Sequence, residues 1–235
     1  MGEHDIPLHV TTVDYHTGGE PFRIVTGGVR RLEGRNVLER RRFAEQVLDR
    51  IRHLLIDEPR GHADMYGCFV TEPDDDAADL GVVFFHNEGY STACGHGTIA
   101  LVTWAIESDR IAARGPEEEI LVDVPSGRLA CVARMDPDGV HVASVRFRNV
   151  PSFVLAGDVP IGTSRGEVRC AVSYGGAFYA SVDVRALGLE VAPASLTALI
   201  SLQRELRPAL EAALEVVNPV EAELRGIYGV TYWQE

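Results

Sequence analysis

Residues Tyr90-Ser91-Thr92-Ala93-Cys94-Gly95-His96-Gly97-Thr98 lead without a break into the apolar run Ile99 to Ile106. A cysteine, two glycines and a histidine at the mouth of a helix suit proton transfer on an anionic ligand. The first-turn N–H groups of a helix lack internal acceptors and lie at the positive end of its dipole, so a carboxylate binds there. The same field lowers a thiol pKa, which makes Cys94 the candidate proton acceptor or nucleophile. Gly95 and Gly97 carry no Cβ, so a ligand can approach the backbone closely. His96 lies within reach of that ligand. The plain alternative is a small buried hydrophobe followed by a glycine turn.

Other polar residues are weaker candidates. His16, in His16-Thr17-Gly18-Gly19, lines the pocket or serves as a hydrogen-bonded structural group. His62 and Asp64, next to Arg60, read as a buried polar network. Their spacing suits a metal, but no further ligand stands at suitable spacing, so no metal and no cofactor is expected. His86 and Glu88 either orient the loop before Cys94 or touch the ligand. A thiol peptidase or transferase needs a histidine paired with its cysteine, and His96, two residues on, makes that geometry poor. Cys68, Cys131 and Cys170 alternate with apolar neighbours and read as core; no disulfide or metal spacing links the four cysteines.

The elements that must hold Cys94 follow from periodicity. His9 to Thr17 and Phe22 to Thr26 predict strands around the Gly18-Gly19 turn. Apolar residues from Val37 to Ile56 recur at helical spacing, with Asn36 as cap and Arg40, Arg41, Arg42 and Arg50 on a solvated face. Strands are expected over Met65 to Val70 and Val82 to Phe85. The helix after Cys94 has almost no polar face from Ile99 to Ile106, so it should be buried on all sides with a strand layer wrapped around it. Further strands are predicted over Ile120–Val124, Arg128–Arg134, Val140–Val150, Glu167–Tyr174 and Phe178–Val184. Ala192 to Val217 reads as helix interrupted at Pro208. The turn-rich segment from Asn149 to Ser164 is the expected boundary between residues 1–150, carrying the Cys94 helix, and residues 151–235.

With 235 residues, 46% hydrophobic and 24% charged, the chain can bury one or two cores. A net charge of −13 argues against nucleic acid and against anionic membranes as partners. Every basic side chain is Arg, so no lysine is available for a Schiff base. The acidic start Met1-Gly2-Glu3-His4-Asp5 lacks an apolar leader, and the apolar runs fall short of a bilayer span. A reducing cytoplasm is the expected location.

Several strips resemble one family, that of proline racemase. They are His16-Thr17-Gly18-Gly19-Glu20-Pro21, Glu58 through Gly67, His86 through Gly97, Asn149-Val150-Pro151-Ser152-Phe153, and Tyr174-Gly175-Gly176-Ala177-Phe178-Tyr179-Ala180. The resemblance runs from Val10 to about Val230. It implies an α+β, diaminopimelate-epimerase-like fold of two pseudo-symmetric barrel-like halves, each around a central helix. It also implies cofactor-free removal of the α-proton of a small cyclic amino acid, with Cys94 as base and Gly95, His96, Gly97 and His16 around the substrate. Phe85 through Ser91 and Gly175 through Tyr179 look most like the trans-3-hydroxy-L-proline dehydratase branch. Proline racemase and 4-hydroxyproline 2-epimerase are the alternatives, and a non-catalytic module binding a proline-like ligand is the alternative of another class.

Two departures stand out. Ala93 replaces the methionine usual in the family. The motif Asp-Arg-Ser-Pro-(Cys or Thr)-Gly-Thr-Gly, which carries the second acid/base residue, does not occur, so the second half is expected to be incomplete and the chain inactive by itself. Gly18-Gly19 and Gly175-Gly176 hint at an internal repeat offset by 157 residues, which would place the counterpart of Cys94 at about position 250. Exposed edges of such a half are expected to favour association, including a homodimer.

Overall fold

The computed structural model describes residues 9–234. The Met1–Asp5 segment considered above lies outside them. The chain divides after Asn149 into two compact units.

The first unit is a seven-stranded mixed sheet in sequential order. It opens with the antiparallel hairpin β1 (Thr11–Thr17) and β2 (Glu20–Gly27). The turn uses Gly18 and Gly19 at φ +61° and +97°, a region open to residues without a Cβ. A helical crossover then returns the chain to β3 (Tyr66–Thr71), parallel to β2, and β4 (Leu80–His86) pairs antiparallel with β3. After helix α3 (Gly95–Glu107) come β5 (Glu117–Val124), parallel to β4, and the meander to β6 (Gly127–Met135) and β7 (Val142–Arg148). Helix α3 touches both edge strands, β1 and β7, as well as β2, β3 and β6. The sheet is therefore curled around it, as the all-round apolar sequence predicts.

The crossover is one helical run with a wide turn in its middle: α1 (Val37–Phe43), a π-turn (Ala44–Leu48) and α2 (Asp49–Ile56). Asn36 caps it, its Oδ1 accepting from Glu39 N–H at 2.8 Å. This run covers the outside of the sheet. Val37, Leu48, Leu55 and Ile56 pack with Val25, Phe69, Val83 and Phe85 from alternate strand positions. The intervening residues Phe22 and Phe84 meet edge-on at 6.1 Å on the helix side. Period-2 alternation thus supplies two cores from one sheet.

The expected solvated arginine face is only partly so. Arg40 is buried and donates to the carbonyls of Gly34 (3.1 Å) and Glu72 (2.6 Å), and Arg41 reaches the Tyr90 carbonyl at 2.7 Å. A guanidinium can satisfy several carbonyls at once, so these side chains join loops that helix periodicity cannot foresee. His62 and Asp64 are exposed, not buried as expected; His62 Nδ1 lies 2.7 Å from its neighbour's carbonyl at Ala63.

The second unit is a four-stranded sheet in the order β11-β10-β9-β8. Its strands are β8 (Phe153–Thr163), β9 (Gly166–Tyr174), β10 (Phe178–Asp183) and β11 (Ile227–Trp233), with α4 (Leu196–Ala213) crossing over between β10 and β11. Leu199, Leu202, Leu206 and Leu210 bury one stripe of α4. The expected break at Pro208 is absent; α4 runs through it, the buried leucine stripe outweighing a local penalty of about 3 kcal/mol. The segment read as boundary turns is an edge strand instead. β8 bulges near Val154 to Val159 and tolerates Pro160 because an edge strand has a free side.

The topology bears out the repeat. In each unit a hairpin with a positive-φ glycine turn is followed by a helical crossover and a strand parallel to the hairpin's second strand: β1-β2-α1/α2-β3 and β9-β10-α4-β11. In the first unit the pattern continues into β4 and α3. No counterpart of α3 occurs among the described residues of the second.

Candidate active site

Cys94 sits at the N-cap of α3 in extended conformation (φ −153°, ψ 107°). Its carbonyl accepts from the N–H of Thr98 (3.0 Å) and from the Thr98 hydroxyl (2.8 Å), which fixes the cap from both sides. The residue is 8% exposed, at the threshold of the enclosed helix. His96, two residues on, brings Nδ1 to 3.6 Å and Nε2 to 3.9 Å from Sγ. This is closer than the two-residue spacing suggested, because the extended cap residue turns its side chain back over the first helical turn.

The environment acts against the expected fall in the thiol pKa. Burial pushes Cys94 up to about 12, while the backbone N–H of Gly97 pulls it down and the charge of Glu20 adds to the rise. Desolvation of a lone anion outweighs a single helix terminus. Burial likewise lowers His96 below the usual imidazole value, against a smaller opposing effect of Glu20. Desolvation thus favours a neutral thiol beside a neutral imidazole.

The two glycines differ in what they permit. A Cβ on Gly95 would meet only Phe147 Cζ, at 3.5 Å, so this residue forms the open lip. A Cβ on Gly97 would lie 2.4 Å from Phe22 Cε2 and 2.9 Å from Cys94 Sγ. Gly97 is required for the thiol and Phe22 to share the floor of the site.

Aromatic rings hold His96. Phe22 meets it edge-on at 5.7 Å and Tyr66 at 5.1 Å, and Tyr66 also contacts His86 at 5.1 Å. Phe22 and Tyr66 are partners in the β2–β3 register. His86 is driven down to about 4 by burial, with Arg52 and Arg41 adding to the effect and Glu88 opposing it. It sits behind Tyr66 from His96.

His16 stays within its own turn, Nδ1 accepting from Gly19 N–H at 3.2 Å, and no hydrogen bond or ring contact joins it to Cys94 or His96 among the described residues. Its neighbour makes the connection: Thr17 Oγ1 donates to the His96 carbonyl at 2.9 Å. Glu20, Phe22 and Tyr66 were not singled out from sequence. The usable signal was strand alternation, which puts Glu20 and Phe22 on one face of β2.

The loop into Cys94 is clamped from outside. Arg52, 4% exposed, donates to the carbonyls of His86 and Asn87, each at 2.8 Å, while Asp49 holds its Nε at 2.6 Å. The Tyr90 hydroxyl donates to Ala44 O in the π-turn at 3.0 Å. Asn87 accepts from Met65 N–H at 2.9 Å and donates to Ile56 O at 3.2 Å. Among the described residues no group of three or more His, Cys, Asp or Glu is arranged to hold a metal, and no helix is long and apolar enough to cross a membrane.

Known proteins resemble this chain along nearly its whole length. The proline racemase family profile matches residues 12–235. A trans-3-hydroxy-L-proline dehydratase of Bacillus thuringiensis is 44% identical over 96% of this chain and 67% of its own length. A 3-hydroxyproline 2-epimerase of Burkholderia multivorans is 45% identical over 95% and 67%. The crystal structure of a hydroxyproline epimerase from Agrobacterium vitis with bound trans-4-hydroxy-L-proline superposes with a TM-score of 0.88 at 30% identity, covering 96% of this chain and 66% of that one. This chain thus spans about two thirds of the length of the relatives it matches. With one profile spanning both units and relatives aligned over nearly all of it, the chain belongs to the proline racemase family.

Proposed function

We propose that this chain is the Cys94-bearing part of a cofactor-independent trans-3-hydroxy-L-proline dehydratase. The observation that carries the reading is the nearly buried thiol at the α3 N-terminus, beside an imidazole and below an open glycine lip. The substrate carboxylate docks on the N–H groups of Gly95 and His96, while the Gly97 N–H faces the Cys94 sulfur. Cys94, as thiolate, takes the α-proton, and the electron pair left on Cα forms a double bond to C3 as the 3-hydroxyl departs with a proton as water. The enamine then tautomerises to pyrroline-2-carboxylate. An α-proton is weakly acidic, so pinning the carboxylate against fixed N–H dipoles in a dry site is what makes its removal feasible.

Burial disfavours the Cys94 thiolate, and a cation beside the sulfur favours it. The ring ammonium of an amino-acid zwitterion supplies one. The Cys94–His96 contact also fits nucleophilic thiol chemistry. That reading is weaker, because no carboxylate or carbonyl among the described residues hydrogen-bonds to the His96 ring to orient it.

In this reading the acid on the opposite ring face comes from the motif absent from these 235 residues, so the isolated chain is expected to bind but not to turn over. The test is proton NMR in heavy water with trans-3-hydroxy-L-proline, L-proline and trans-4-hydroxy-L-proline. It is applied to the chain and to the chain joined to the C-terminal third of a related dehydratase. The joined protein is expected to convert the 3-hydroxy substrate to pyrroline product and to lose that activity in Cys94→Ser. Inversion with α-deuteration instead would assign a racemase or epimerase. A folded joined protein that leaves all three compounds unchanged refutes the reading, and turnover by the chain alone refutes the half-site.

A further inference from the structure

Arg52 is a buried cation that the proposed chemistry leaves unused. It is 4% exposed on α2, with the partly exposed Asp49 carboxylate at 2.6 Å as its counter-ion. Burying a guanidinium costs free energy, and an apolar side chain of similar volume often serves stability as well or better. Where its donors go is therefore informative. Nη1 donates to the carbonyls of His86 and Asn87, each at 2.8 Å, and the guanidinium carbon lies 5.8 Å from the centre of the Tyr90 ring. All three residues belong to one turn, in which His86 and Gly89 pair through both backbone hydrogen bonds.

That turn leads to the thiol by two routes. Its backbone begins the irregular connection from the end of β4 at His86 to Cys94, the N-cap of α3. Its His86 ring lies 5.1 Å from the Tyr66 ring, and the Tyr66 ring lies 5.1 Å from that of His96. His96 in turn brings Nδ1 to 3.6 Å from Cys94 Sγ. One guanidinium on the outer helix thus fixes both the backbone that enters Cys94 and the row of rings that ends beside it.

We propose that Arg52 is a positioning residue for proton transfer at Cys94, acting not on the substrate but through the His86–Tyr90 turn, so that Sγ and the His96 ring stand where the reaction needs them. The proposal rests on the reading of Cys94 as the α-proton base. A buried carbonyl that loses its donor finds another only by moving, and beyond the His86–Gly89 pair the turn has no strand ladder to hold it. A displacement of about 1 Å at a reacting group costs about a hundredfold in rate. Methionine at position 52 removes both donors, while lysine keeps the charge without the planar fork that reaches two carbonyls at once.

Two measurements test this. First, the four free cysteines of the full chain are alkylated with iodoacetamide and each peptide is followed by mass spectrometry. Cys68, in β3, reports opening of the core, and Cys94 reports the turn as well. Leu32→Ala is the comparison, because it opens the outer core that α2 covers but removes no hydrogen bond from the turn. Arg52→Met is expected to raise the Cys94-to-Cys68 rate ratio about tenfold above that of Leu32→Ala, and Arg52→Lys to raise it less. Should Arg52→Met not fold, Arg52→Lys carries the same comparison. Second, the variants are made in the chain joined to the C-terminal third of a related dehydratase. Arg52→Met is expected to lower kcat about ten- to a hundredfold with KM within about threefold of wild type, Arg52→Lys to regain part of the loss, and Leu32→Ala to keep kcat. Equal Cys94-to-Cys68 ratios in Arg52→Met and Leu32→Ala overturn the proposal, as does a wild-type kcat in joined Arg52→Met. If the joined wild type converts no substrate, the proposal falls together with the dehydratase reading, an outcome distinct from the other two.

Discussion

Replacing Gly97 by alanine tests the close packing on which the site depends. The added methyl would stand 2.4 Å from Phe22 Cε2, 2.7 Å from Phe22 Cζ and 2.9 Å from Cys94 Sγ. Phe22 is fully buried with Phe84 behind it, so the ring cannot swing away. Overpacking of this kind costs about 1–3 kcal/mol, and alanine's helix propensity over glycine returns up to about 1 kcal/mol. With an immobile ring, a net loss of about 1–2 kcal/mol is expected. Gly95→Ala is the control, since its methyl meets only ordinary contact at 3.5 Å and should gain a fraction of 1 kcal/mol. The assay is urea unfolding followed by Trp104 fluorescence in a Trp233→Phe background, the chain having two tryptophans and Trp104 lying in α3. Gly97→Ala should lower the midpoint by about 0.5–1 M relative to Gly95→Ala. Phe22→Leu should restore part of the loss, with a coupling of about 1 kcal/mol. Equal midpoints for the two alanine variants would show that the Gly97–Phe22–Cys94 packing is not as described.

Further outcomes follow from the groups around the site. His86, held near 4 against an ordinary 6.5, favours the folded state only while neutral. Its contribution is complete above pH 6.5 and is lost as pH falls towards 4; because the ring is only partly buried, about 1–2 kcal/mol is expected, and His86→Gln should flatten the acid limb of a stability–pH curve by that amount. The Cys94 thiol, pushed up to about 12, stabilises the fold below pH 9 and ceases to do so as pH rises towards 12. Its iodoacetamide alkylation rate should still be climbing at pH 10, and a plateau near pH 8 would contradict the burial. Arg52→Met should cost about 2–4 kcal/mol by orphaning the His86 and Asn87 carbonyls, and hydrogen exchange should rise in residues 86–94 before it rises in β6.

Much of the site was legible because two strong periodicities meet there. An apolar stretch with no polar face predicted an enclosed α3, and small residues before it marked the open end where Cys94 stands. Asn36 gave the outer helix its start, and the glycine pairs gave both hairpins. What was not legible depends on contacts distant in sequence. Arg40 and Arg41 look like a solvated helix face until the carbonyls they serve are brought beside them, and Arg52 carries no mark in the sequence of the two carbonyls it holds. The π-turn leaves no mark in the spacing of Val37 to Ile56. β8 is hidden because Gly157, Pro160 and Gly162 interrupt its alternation, and only its edge position makes them tolerable. The helix terminus at Cys94 is visible in the sequence, and so is the enclosure of α3; that desolvation of the thiol outweighs the terminus emerges only from how deeply Cys94 itself is set. Glu20 lies between the Gly18-Gly19 turn and Pro21, yet its relation to Cys94 exists only once β2 passes under the first turn of α3.

The repeated hairpin–crossover–parallel-strand unit also orders events in time. Antiparallel hairpins close locally within microseconds, whereas β3 and β11 can find β2 and β10 only after a long helical connection has collapsed onto the sheet. Each unit therefore carries the same slow step, and refolding should show two phases that stopped-flow fluorescence separates by probe, Trp104 for one and Trp233 for the other. Cys94 is positioned only after the first of these: α3 has no enclosure until β1 and β7 have both reached it. The thiol's reactivity is thus a clock for closure of the first sheet.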